Sequence, residues 1–71
     1  MDLEKLFKLL QAKNTDDRIL GVRIIKENKD LTYDEKKNII HEYNRRKLLG
    51  ELFTVRVDDL IDFLNKTLNS N

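Results

Sequence analysis

The chain of 71 residues has no cysteine and no proline, and glycine occurs only as Gly21 and Gly50. Without cysteine there is neither a disulfide framework nor a thiolate metal site to supplement the core, and no redox compartment is indicated. Long hydrophobic runs are also missing. The opening MDLEKLFKLL mixes charge with leucine instead of setting a charged segment before an apolar one, so neither a spanning helix nor a secretory signal is expected. An excess of one charge is lacking as well: 14 basic against 13 acidic side chains leave a net charge of +1. That balance argues against a chain that grips a phosphate backbone along a whole face, while leaving room for a local basic patch. The expectation is a cytoplasmic protein of one domain, residues 1–71, whose stability must come from packing alone.

The composition suits helix: 38% of residues are charged, and apolar residues recur at helical spacing. Leu3, Leu6, Phe7 and Leu10 repeat at i, i+3, i+4 and i+7, which predicts a first helix over residues 2–13. Asn14 or Thr15 caps a second one. In it Ile19, Val22 and Ile25 cover one side while Leu20, Gly21 and Ile24 cover much of the other, so a helix packed from two directions is expected, with a close neighbour at Gly21. Residues 28–30 form a turn, and Leu31 is placed as a hydrophobic staple. Thr32 and Glu35 form a capping box that starts the third helix. Tyr33, Ile39, Ile40 and Tyr43 make its buried stripe, completed by the stems of Lys36 and Lys47, and Gly50 supplies a left-handed ending after residues 47–49. Phe53, Val55 and Val57 alternate like a strand, but no second segment alternates, so an extended connector is favoured over a strand. From Val57 the spacing is helical again, with Asp58, Asp59 and Asp62 early, and residues 69–71 should fray. The predicted architecture is all-α, a compact four-helix domain with a short extended connector before the last helix.

Few residues suggest chemistry. His41 projects opposite the apolar stripe with no ligand partner in view, and the three aspartates diverge by about 100° per residue without a glycine-bearing loop, so no metal or cofactor is expected. No hydroxyl sits in a nucleophile elbow, and the chain does not read as an enzyme or as a binder of a small-molecule substrate. Basic charge concentrates at Arg45, Arg46 and Lys47, with Lys36 and Lys37. Cations there stabilise a helix end and pair with Glu42; alternatively, Lys37, His41, Asn44 and Arg45 point together as a nucleic-acid contact, with the turn at residues 28–31 giving a helix-turn-helix outline. Phe53 and Val55 are apolar residues in a connector, marking a protein contact if exposed and a core closure if buried.

The stretch LTYDEKKNIIHEYN, fourteen residues, resembles a helix of the AsiA-type anti-sigma factors of T-even phages. The shared pattern is Leu31, Thr32, two acids, Lys36, Lys37, an aliphatic pair, Glu42, an aromatic and Asn44. No binding residue carries over from that family, because the segment is not the part with which it chiefly grips sigma. The resemblance implies a small charged helical protein of a phage or bacterium, in the host cytoplasm if phage-encoded, that regulates or assists a nucleic-acid machine. The functional expectation is therefore a non-enzymatic interaction module docking onto a larger protein of transcription, replication or recombination, with direct nucleic-acid binding as the alternative.

Overall fold

Each helix begins where an oxygen is ready to accept amides that no preceding turn can satisfy. In the computed structural model, which describes residues 1–69, Asp2 caps α1 (Leu3–Leu10) by accepting from the Lys5 amide at 3.2 Å. Asn14 caps α2 (Thr15–Glu27), accepting from Asp16 at 2.8 Å and Asp17 at 3.4 Å. At α3 (Tyr33–Leu48) the capping box is complete: Thr32 accepts from the Glu35 amide at 3.1 Å, and the Glu35 carboxylate accepts from the Thr32 amide at 3.0 Å. For α4 (Val55–Asn69) the Thr54 carbonyl accepts from Val57 and Asp58, both at 3.0 Å.

Among the described residues there are four helices and no strand, an all-α four-helix domain. The helix α1 lies against α2 and α3 against α4, while α4 also meets α2 and ties the two pairs together. The core forms where their apolar stripes meet: Leu6, Phe7 and Leu10 from α1, Val22 and Ile25 from α2, Ile39 and Tyr43 from α3, and Val57, Leu60, Ile61 and Leu64 from α4, with Leu31 closing the α2–α3 turn. No polar side chain is buried among them.

Gly21 is where α1 comes closest. A Cβ built there would stand 3.0 Å from both Leu9 Cβ and Leu10 Cδ2, so the absence of a side chain is what lets the two backbones approach. At the end of α3, Gly50 takes φ +88° and completes a Schellman turn, its amide bonding to the Lys47 carbonyl and that of Glu51 to Arg46, both at 3.0 Å. The hydrophobic contact that usually accompanies this turn is replaced by an ion pair of Arg46 with Glu51, at 3.5 Å.

Several expectations change. The first helix stops at Leu10, short of residue 13, because the Arg18 guanidinium takes the carbonyls of Ala12 at 2.6 Å and Lys13 at 2.9 Å and holds that stretch as a loop. The last helix starts two residues early, at Val55, and the apparent strand alternation arises because Phe53 and Val57 turn inward on either side of it. Of the expected connector only residues 51–54 remain, and they form no regular secondary structure. Tyr33 is exposed instead of buried, with the Lys37 ammonium 5.4 Å from its ring centre. On the second side of α2 only Gly21 is covered, by α1, while Leu20 and Ile24 remain exposed. Of the last three residues, Asn69 still belongs to α4, and residues 70–71 lie outside the described part.

The adjacent pair Ile24 and Ile25 measures this packing, being 42% and 2% exposed. Ile25→Ala should lower the unfolding free energy by about 2–5 kcal/mol through the cavity it leaves, whereas Ile24→Ala should cost about 1 kcal/mol or less. Urea denaturation of the two variants checks this, and equal losses would place α2 wrongly.

Candidate functional site

The basic run at the end of α3 is the natural place to look for a site, and its charges are already engaged inside the protein. Arg45 faces Glu42 through two parallel bonds of 2.8 Å, from Nε and Nη2. Arg46 donates from Nε to the same carboxylate at 2.7 Å and from Nη1 to Gln11 Oε1 at 2.8 Å, while its guanidinium lies 4.9 Å from the centre of the Phe7 ring. Gln11 in turn donates to Glu51 at 2.9 Å, closing a network between α1, α3 and the connector. The hydrogen bonds from Arg45 and then Arg46 hold the Glu42 carboxyl down at about 2. One residue on, the Lys47 ammonium sits 5.3 Å from the Tyr43 ring centre and bonds to its hydroxyl, which raises the Lys47 pKa. The same hydroxyl donates to Asp58 at 2.6 Å, and burial, followed by Asp58, pushes the phenol upward.

Of the four residues expected to face nucleic acid, Lys37, His41 and Asn44 do come together, lining a shallow depression with Ile40, Asn65 and Leu68. Arg45 is exposed but turned onto Glu42 and does not join them. The helix-turn-helix outline is not realised as a packed pair, since α2 rests on α1 and α4 while α3 rests on α4.

The two connector residues part company. Phe53 is half-buried between Phe7, with ring centres 6.1 Å apart in an edge-on arrangement, and Tyr43, at 4.8 Å, so it closes the core. Val55 is 74% exposed and belongs to a run of outward apolar side chains with Leu48 and Leu52, each 90% exposed, and Leu49 at 65%. Spacing carried part of this signal: Leu48 and Leu49 fall off the buried arc of α3, and Leu52 precedes the inward Phe53. A second apolar area lies between α1 and α2, where Met1, Leu6, Leu9 and Ile24 line a groove.

Among the described residues no group of three His, Asp or Glu side chains gathers as metal ligands would, and no helix is long and apolar enough to cross a membrane. The fold and these surfaces define a small all-α domain with exposed apolar areas. No family model, curated protein or solved structure matches the chain.

The Glu42 clasp has a pH signature. Its carboxyl titrates at about 2 in the folded chain against an ordinary 4.5, so the ionised form stabilises the fold above the ordinary value, and that contribution is lost as the pH falls from about 4.5 to about 2. Glu35, also lowered, chiefly by the Thr32 amide, adds to the same slope. Glu42→Gln should be less stable than the parent at pH 7 and show a flatter loss of stability below pH 4.5; identical slopes in urea titrations at stepped pH would contradict the clasp.

Proposed function

We propose that this domain is a non-enzymatic interaction module that docks onto a larger protein, a component of a transcription, replication or recombination machine. The observation that carries the reading is the exposure of Leu48, Leu49, Leu52 and Val55 within eight consecutive residues. Isolated surface leucines need no explanation, but a cluster of this kind on so small a domain marks a contact area. Burying each side chain in a partner would contribute about 1.5–3 kcal/mol before the cost of association is subtracted. The Schellman turn and the anchoring of Phe53 hold this segment in one conformation, so little ordering remains to be done on binding. The resemblance of the third helix to AsiA-type anti-sigma factors supports placing the partner in a nucleic-acid machine. Direct nucleic-acid binding through Lys37, His41, Asn44 and Arg45 is the weaker reading, because Arg45 is neutralised by Glu42 and Lys37 is left as the one lysine of the depression.

Affinity capture with the parent chain and with Leu48→Asp/Leu52→Asp tests the proposal. The double variant should melt within about 2 °C of the parent, because both side chains are exposed. The parent should retain a large subunit of such a machine, and the variant should lose it. Retention of the same proteins by both, or of none by the parent, would refute docking through this surface.

A further inference from the structure

We propose that the cleft where the α2–α3 turn meets α4 binds single-stranded nucleic acid. The cleft holds about 200 Å³ and is lined by three lysines from separate elements: Lys26 in the last turn of α2, Lys29 in the turn and Lys36 near the start of α3. Its apolar wall is Ile25, Leu31, Leu64 and Phe63, the last a residue still 41% exposed, with the Lys26 ammonium 5.7 Å from its ring centre.

The charge in this cleft is uncompensated. Every ion pair among the described residues is made by an arginine or by the N-terminus, and none by these lysines. No carboxylate lines the cleft; Asp30 and Asp62, neighbours in sequence of Lys29 and Phe63, are exposed outside it. Helix stability does not account for the arrangement either. Lys26 is favourably placed at a helix C-terminus, but Lys36 stands near the positive end of α3, where a cation gains nothing from the dipole.

The chemistry that fits is a flexible polyanion carrying flat rings. Ammonium groups act on phosphates as point charges, whereas paired recognition of carboxylates favours the guanidinium fork. An accessible phenyl ring beside them offers a stacking platform for a base, the combination found in binders of single strands. A duplex is disfavoured because the lysines lie in a concavity between helices, and reading a duplex needs an element that projects into its groove. This surface shares no residue with the docking surface proposed above, so either can fail without the other.

Fluorescence anisotropy with a labelled deoxythymidine dodecamer tests the proposal on the full chain. Saturable binding is expected at 50 mM salt, weakening with a logarithmic salt slope of about −2, which is three amines at about 0.7 each. Lys26→Gln/Lys29→Gln/Lys36→Gln should weaken binding at least tenfold and flatten the slope. Phe63→Leu should weaken it about fivefold or more and leave the slope unchanged. Lys37→Gln, on the outer face of α3, should bind like the parent, and circular dichroism melting should show every variant folded. The proposal is overturned if the dodecamer does not bind saturably, if the triple variant binds like the parent, if Lys37→Gln loses as much, or if a duplex, polyglutamate or anionic vesicles bind as well as the dodecamer.

Discussion

Arg46 lying over Phe7 is the contact on which the arrangement of this domain depends. A guanidinium that is half-buried against an aromatic ring is tolerable only if its donors are met. Here Glu42 comes from the same helix, Gln11 from the end of α1 and Glu51 from the connector. Beneath it Phe53 is held between Phe7 and Tyr43, and Tyr43 reaches Asp58 at the start of α4. Three helices and the connector therefore converge on three adjoining rings, with Arg46 over Phe7 and Lys47 beside Tyr43.

That convergence also determines which charges are left for partners. The densest basic run, residues 45–47, is consumed in building the clasp: Arg45 and Arg46 share Glu42, and Lys47 rests on Tyr43. Among the lysines that form no ion pair, Lys26, Lys29 and Lys36, scattered in sequence, line one cleft. The exposed leucines are at the other end of α3. Lys36 and Leu48 are separated by about 18 Å at 1.5 Å per residue, so the apolar and the cationic surfaces are far enough apart to be occupied together.

The core of so short a chain is too small to absorb all its apolar side chains. Twelve are buried, and the helices divide the rest unevenly. The α2 helix carries apolar residues on two sides, yet on the second α1 covers Gly21 alone, so Leu20 and Ile24 remain outside. A pattern alone shows that a side is apolar; whether another element is left to cover it depends on how many helices there are and how they pair.

Local rules accounted for most of the secondary structure. The four helices, the Thr32–Glu35 box, the Gly50 ending and the approach at Gly21 were all legible, because caps, helical stripes and left-handed glycines act over four or five residues. The pairing of Glu42 with Arg45 and Arg46 was legible on the same ground. The sequence by itself thus determined an all-α chain and its breaks only to within the reach of neighbouring turns. Tertiary structure alone decided that Phe53 faces the core and Val55 the solvent, that Arg46 is bonded to Glu42 and Gln11, and that three distant lysines line one cleft with Phe63. The physical reason is range: the partners of Arg46 include Gln11, 35 residues away, and Glu51 is joined to Gln11 across 40, separations at which no spacing rule operates and only the packed fold brings the groups together.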